Sequence, residues 1–256
     1  MHTGGSGDAN VPRRLASSAR LFSQEGFARL RSARIGIVGI GGVGSWSAEA
    51  LARSGAGGLV LVDLDHVAES NLNRQVQATC SSLGQHKGDA LKTRIADLNP
   101  DCDVRVLDVF LSPENVGGIL DQADFWIDAC DDLAAKRAMV LHFFNAHRDS
   151  RLIVCGGAGG KTDPTRIRTA DLSASEQDPL LSKLRYQLRK SHGFAREGRM
   201  RVPVVYCEQP SVSTPDCNPA ARLACAGYGS LVTVTAGLGL AAAAQAMSRI
   251  TSTQTR

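Results

Sequence analysis

No CxxC pair occurs anywhere in the 256 residues, although seven cysteines stand at positions 80, 102, 130, 155, 207, 217 and 225. An odd number at irregular spacing excludes a closed disulfide framework, and the missing pairs exclude a cysteine-based zinc centre. A secretory leader is missing too. The opening "MHTGGSGDAN" has neither a charged start nor an apolar core and reads as disordered. These absences together suggest a reducing cytoplasm. Charge is absent from residues 223–248. Their segment "GSLVTVTAGLGLAAAAQAM" is mostly Ala, Gly and Thr, which gain little from lipid, so a buried core strand or helix is expected rather than a membrane span. Internal repeats are also lacking.

What is present is ordinary for a globular chain: 43% apolar and 21% charged residues. The net charge of +4 is uneven. Residues 183–201, "KLRYQLRKSHGFAREGRMR", hold seven Lys or Arg and one Glu, a net of +6. A concentrated basic segment suits a polyanionic partner, although a solvated helix face would look the same.

The apolar spacing predicts a helix over 13–32, carrying Leu15, Leu21, Phe22, Phe27 and Leu30. Strands are predicted at 34–40, 58–65, 103–110, 123–130 and 151–157. Helices are predicted at 45–55, 84–100, 113–121 and 132–147, with Gly55 as a C-terminal cap. This alternation predicts an α/β, Rossmann-like, mostly parallel sheet flanked by helices. Beyond residue 160 the pattern turns irregular and six prolines follow. Irregular strands, a long crossing segment and a basic helix near 180–192 are expected there. The expected layout is a disordered stretch over 1–12 and one domain over 13–256.

Residues 35–46, "IGIVGIGGVGSW", place four glycines in six positions at the end of an apolar run. Gly39, Gly41 and Gly44 satisfy GxGxxG between a strand and a helix, the arrangement that brings a phosphate against a helix N-terminus. Asp63, 19 residues after Gly44, ends the next strand, where a carboxylate can take ribose hydroxyls. Alone, the motif suggests a dinucleotide. Three features favour a triphosphate instead. Gly42 adds a glycine. "DLDHVAESNLNRQ" (63–75) repeats the acid at Asp65 and supplies Asn71, Arg74 and Gln75. Lys87 and the acids of "DACDD" (128–132), Asp131 and Asp132, follow. A lysine and an arginine can hold phosphate oxygens, and an acid can hold the accompanying magnesium. Asp132 also suits a helix N-cap. His66, His86, His142, His147 and His192 show no metal spacing.

"GIGGVGS", "DLDHVAESNLNRQ", "GQHKGDAL" and "DACDD" together resemble the ThiF/MoeB-like adenylate-forming core of the ubiquitin-activating superfamily. The resemblance implies ATP and Mg2+, with Asp63 and Asp65 on the ribose side. It implies Asn71, Arg74, Gln75 and Lys87 on the phosphates, Asp131 on the metal, and Arg74, Lys87 and Asp131 as the catalytic set. It also implies a homodimer in which an arginine before the first strand, here Arg20, reaches the partner's phosphates. Residues 156–185 and 225–247 are similar to the branch of bacterial tRNA threonylcarbamoyladenosine dehydratases. That branch implies ATP-dependent cyclisation of a modified adenosine beside the tRNA anticodon. Arg185, Arg189 and Lys190 are then candidate tRNA contacts, and sulfur-transfer proteins of the cysteine-desulfurase type are candidate partners. Because a neighbouring group of the substrate itself displaces AMP, no enzymic thioester is expected, and Cys207 and Cys225 are expected to be inert. The rivals are an activator of a ubiquitin-like sulfur-carrier protein, and a nucleotide-binding dehydrogenase or sensor. In the last case Arg74, Lys87 and Asp131 would share no task.

Overall fold

The computed structural model describes residues 11–146, 151–212 and 228–252. The expectations for residues 1–10, His147, Cys217 and Cys225 fall outside them. Val11 already packs against the core, two residues before the expected domain start.

Each predicted strand forms, trimmed at its ends: β1 (Arg34–Val38), β2 (Gly58–Val62), β3 (Asp103–Leu107), β4 (Phe125–Asp128) and β5 (Leu152–Cys155). The irregular segment adds β6 (Ile167–Asp171) and β7 (Pro203–Cys207). The seven strands join in the order β3-β2-β1-β4-β5-β7-β6, parallel except for β6, which runs antiparallel to β7. All five residues of β2, "GLVLV", are buried, as a parallel strand covered on both faces requires. The order reverses between β1 and its neighbours β2 and β4. That reversal opens a crevice beyond the carboxyl ends of the strands.

The helices are α1 (Ala16–Ala19), α2 (Gln24–Ser32), α3 (Gly44–Ser54), α4 (Lys87–Leu98), α5 (Val116–Leu120), α6 (Leu133–Asn145), α7 (Pro179–Ser191) and α8 (Val232–Thr251). Alternate strand residues face opposite layers. Ile35, Ile37, Leu59, Leu61 and Ile127 meet α2, α3, α4 and α8; Val38, Val60, Val62, Trp126 and Val154 meet α5, α6 and α7. Gly36 is small because the indole of Trp126 lies over it: a Cβ there would come within 2.3 Å of the ring.

The single helix expected over 13–32 is a correction: the chain breaks between α1 and α2. Ser23 has extended backbone, and its hydroxyl accepts from Gly26 N at 3.0 Å, capping α2 in place of a continuous turn. Leu21, placed on that helix by its apolar spacing, is 82% exposed at that break. The basic helix near 180–192 appears as α7. The uncharged segment appears as α8, buried along Val234, Leu238, Ala242 and Ala246. Its small residues serve a close helix crossing. Gly239 sits against α3, where a Cβ would come within 2.4 Å of Val43 O, and Ser47 Oγ donates to Gly239 O at 2.9 Å. Among the described residues, no helix is long and apolar enough to cross a membrane.

Candidate functional site

The carboxyl ends of β1 to β5 open onto one cleft of about 600 Å³. Its floor is the glycine turn after β1. Gly39 adopts φ +83°, and a Cβ there would come within 2.7 Å of Cys130 Cα. Left-handed backbone and a close neighbouring strand both require glycine. Gly44 lies at the start of α3 and does not face the cleft. Its missing Cβ would sit 2.0 Å from Gly39 O, so it lets the helix close onto the turn. Gly41 and Gly42 line the cleft. No side chain caps the N-terminus of α3, and its partial positive charge favours an anion there, although Ser45 N in its first turn already donates to Gly41 O at 3.1 Å.

Asp63, at the end of β2, clamps this turn. One carboxylate oxygen accepts from Ile40 N at 2.6 Å and the other from Asp65 N at 2.9 Å. Each oxygen keeps a further acceptor site for a hydroxyl. Asn71 is buried, its Oδ1 accepting from Ala68 N at 3.1 Å. The following turn carries Arg74 and Gln75 to the cleft wall, and Trp46 Nε1 of α3 holds it by donating to Arg74 O at 3.0 Å. Arg74 Nη1 donates to Ser70 O at 2.7 Å and Asn73 Oδ1 at 2.9 Å. Lys87 opens α4, is 6% exposed, and rests its ammonium on Asp65 Oδ2 at 2.7 Å. Sequence reasoning sent Asp65 and Lys87 to different parts of a nucleotide; in the protein they are ion-paired. Asp131 projects from the loop after β4 and lines the cleft, and Asp132 caps α6 through Ala135 N at 2.8 Å. The cleft therefore gathers Gly39, Gly41, Gly42, Asp63, Asp65, Asn71, Arg74, Gln75, Lys87 and Asp131.

Four of the remaining candidates lie elsewhere. Arg20 is exposed after α1. Arg185 of α7 is turned inward: its Nη1 donates to Leu172 O, Ser175 O and Ser175 Oγ at 2.7–3.0 Å. Arg189 Nε holds Ala195 O at 3.0 Å, and exposed Lys190 lies over the Tyr186 ring, 5.5 Å from its centroid.

Two buried ion pairs beside the cleft escaped the sequence reading. Asp128, at the end of β4, meets Lys136 of α6 at 3.0 Å, and Lys136 also donates to Cys155 O at 2.8 Å, tying β4 to β5. Asp178 caps α7 through Leu181 N at 3.0 Å and accepts from Gly157 N at 2.9 Å. It also meets Lys161 at 3.2 Å, and Lys161 donates to Cys207 O at 2.8 Å. The "DP" before α7 signals a cap. Nothing in the pattern marks Asp178 as a cleft residue, or Lys136 and Lys161 as buried.

Burial pushes the Asp128 carboxyl up, against the pull of Lys136. Burial is the strongest single influence on the Lys136 ammonium and acts to lower it, but the facing Asp128 carboxylate and its hydrogen bond, together with Cys130 and Cys155, leave Lys136 raised and charged. Burial likewise raises the thiols of Cys130 and Cys207, and takes that of Cys155 to about 12. These sulfurs stay protonated near neutral pH and are poor nucleophiles. Among the described residues, no group of three or more His, Cys, Asp or Glu side chains is placed to hold a metal. One cleft carboxylate, Asp131, suits magnesium that arrives with phosphate oxygens as its other ligands.

The profile of the ThiF family matches residues 13–256. A tRNA threonylcarbamoyladenosine dehydratase of Haemophilus influenzae is 38% identical over 248 residues, 94% of each chain. The crystal structure of the Escherichia coli tRNA N6-threonylcarbamoyladenosine dehydratase TcdA in complex with ATP superposes with a TM-score of 0.84. It is 35% identical, and the match covers 93% of each chain. A probable adenylyltransferase/sulfurtransferase MoeZ of Mycobacterium tuberculosis is 35% identical over only 112 residues, 44% of this chain and 29% of that one.

Proposed function

We infer the activity from the premise that the chain belongs to the ThiF family: it is an ATP-dependent tRNA threonylcarbamoyladenosine dehydratase. The observation that carries this reading is the cleft itself. Lys87, Arg74, the uncapped start of α3 and one free-standing acid, Asp131, converge beside a ribose-type carboxylate, Asp63. A hydride-transfer enzyme has no use for that set. Likeness over more than nine-tenths of both chains sets the dehydratase above the sulfur-carrier activator, whose representative matches less than half of this chain.

The chemistry follows from a poor electrophile. A carboxylate would have to expel oxide, so it is first activated. A carboxylate oxygen of the threonyl group attacks the α-phosphorus of ATP, the bond to the β-phosphate breaks, and pyrophosphate departs. A nitrogen or oxygen of the neighbouring urea then attacks the acyl carbon, and a urea N–H gives up its proton. AMP leaves with the former carboxylate oxygen, and the substrate is lighter by one water. Asp63 orients the ribose. Asn71 and Gln75 fix the turn that presents Arg74. Lys87 leaves Asp65 for the phosphates and, with Arg74, stabilises charge moving onto pyrophosphate. Magnesium, held by Asp131 with the phosphates, would neutralise part of that charge. The second attack is intramolecular and asks for no enzymic nucleophile, in keeping with the raised thiols.

For tRNA, the reading uses the outer face of α7 and the loop after it. Lys183, Lys190, Arg196, Arg199 and Arg201 are exposed there. Arg189 is half-buried beside them, and Arg185 has a mainly structural task. A homodimer in the cytoplasm, with Arg20 reaching a partner's phosphates, completes the proposal. The test is mass spectrometry of nucleosides from threonylcarbamoyladenosine-bearing tRNA after incubation with the protein and ATP. The expected product is the nucleoside lighter by one water, formed only with ATP. Unchanged nucleoside, together with adenylation of a small carrier protein ending in glycine, would replace this reading with its rival.

A further inference from the structure

Two aromatic rings stand exposed on the rim of the cleft, one on the side of β3 and the other on the side of β5. Phe110, 55% exposed, follows β3; Tyr228, 38% exposed, lies against the loop that follows β5. Four strand steps separate β3 from β5, about 19 Å at the usual strand spacing. With phosphates at the glycine turn after β1 and ribose at Asp63 after β2, the base of ATP falls toward β3, where Val109, Phe110 and Leu111 form an apolar wall. ATP has one base, so Tyr228 is left without a nucleotide task.

The half of the cleft around Tyr228 differs in chemistry from the phosphate half. It is walled by Gly156, Gly157, Ala158, Gly159 and the start of α7, and among the described residues no lysine or arginine lines it. Asp178, the acid on that side, is committed to Gly157 N, Leu181 N and Lys161. This half suits a neutral, flat group. Tyr228 is also built into place. Gly160 N donates to Gly229 O and Val212 N to Gly160 O, both at 2.8 Å. A Cβ on Gly159 would come within 3.1 Å of Tyr228 Cβ, and one on Gly160 within 3.0 Å of its Cδ1. The glycines of "GGAGGK" therefore let the Cβ–Cδ1 side of Tyr228 pack closely on backbone while the residue stays part-exposed toward the cleft.

Resting on the dehydratase reading, we infer that Tyr228 is the platform on which the modified adenine of the tRNA stacks, aiming its threonylcarbamoyl arm at the α-phosphate. Aromatic stacking of a displaced base is the general means by which enzymes hold a single nucleotide out of its strand. Tyr228 acts on substrate choice and takes no part in bond making.

The experiment compares Tyr228→Ala, Tyr228→Leu and Tyr228→Phe with wild type, using threonylcarbamoyladenosine-bearing tRNA for turnover and ATP alone for calorimetry. The Ala and Leu variants should lose about fivefold to a hundredfold in kcat/KM, carried by KM for tRNA. Phe should restore it, and ATP affinity should stay at the wild-type value in all three. Leu keeps bulk over the glycines without a π face, so it separates stacking from packing. A wild-type KM for tRNA in the Ala or Leu variant, or a parallel loss of ATP affinity, overturns the inference. A wild-type protein inert toward this tRNA instead overturns the dehydratase reading, and the inference falls with it.

Discussion

Replacing Lys136 with methionine removes one charge from a pair whose side chains are both fully buried. The lysine donates to Asp128 Oδ1 at 3.0 Å and to Cys155 O at 2.8 Å, while Asp128 Oδ2 is buried with no hydrogen-bond partner. Methionine fills the same volume but strands a carboxylate whose other oxygen is already unsatisfied. Breaking one side of such a pair costs about 3–5 kcal/mol. For a domain of this size each kcal/mol shifts Tm by about 2–4 °C, so melting should fall by roughly 6–20 °C. The loss depends on pH in a stated direction. Burial already raises the Asp128 carboxyl, and without Lys136 it climbs further. A carboxyl raised in the fold favours the fold fully below its unfolded value, about 3.9, and that contribution fades as pH rises through the folded value. The variant should therefore be closest to wild type in mildly acidic buffer and weakest in mildly alkaline buffer. Urea unfolding at the two pH values is the assay, and the Asp128→Asn/Lys136→Met double variant should recover much of the loss. A deficit under about 1 kcal/mol in the mildly alkaline buffer would refute the reasoning, because the pair would then carry no uncompensated burial.

Other consequences are simpler. Lys87→Ala, Arg74→Ala and Asp131→Ala should each slow adenylation about a hundredfold or more, read by pyrophosphate release, with fold and melting little changed for the exposed Asp131. Calorimetry should show ATP binding far tighter than NAD; the reverse order would restore the dehydrogenase reading. Cys207→Ala should keep most activity, since its thiol is buried and held protonated; an inactive but folded variant would require a thioester after all. Exchanging Lys183, Lys190, Arg196 and Arg199 for Gln should weaken tRNA binding and flatten its log–log salt slope by roughly 0.7–0.9 per lost contact. ATP affinity should not move. Including Arg185 would confuse that test, because its guanidinium holds the turn beneath α7.

The parallel core was legible because its signals are local. Alternating apolar segments of strand and helix length, Gly55 with φ +98° and the Asp132 cap all announce themselves within a few residues. The break between α1 and α2 was hidden because Leu21 and Phe22 continue the helical spacing, whereas the Ser23 cap that ends it competes through a single hydrogen bond. The half of the cleft around the glycine turn was readable for the same local reason, since its residues cluster within four short motifs. The β5 half was not. Lys161 meets Asp178 across 17 residues and Gly160 meets Tyr228 across 68, through packing that no single-chain pattern encodes. The basic run read correctly as α7 but not residue by residue. Helical phase decides that Lys190 faces water while Arg185, five positions earlier, turns to the core.

The central claim is that ATP activates a carboxylate by adenylation. It is tested most directly by following a heavy-oxygen label placed in the threonyl carboxylate of the tRNA substrate. Attack of that carboxylate on the α-phosphorus, followed by ring closure, requires one labelled oxygen to leave in AMP and none in pyrophosphate. Label found in inorganic phosphate, with ADP as the other product, would mean attack on the γ-phosphate and would contradict the account.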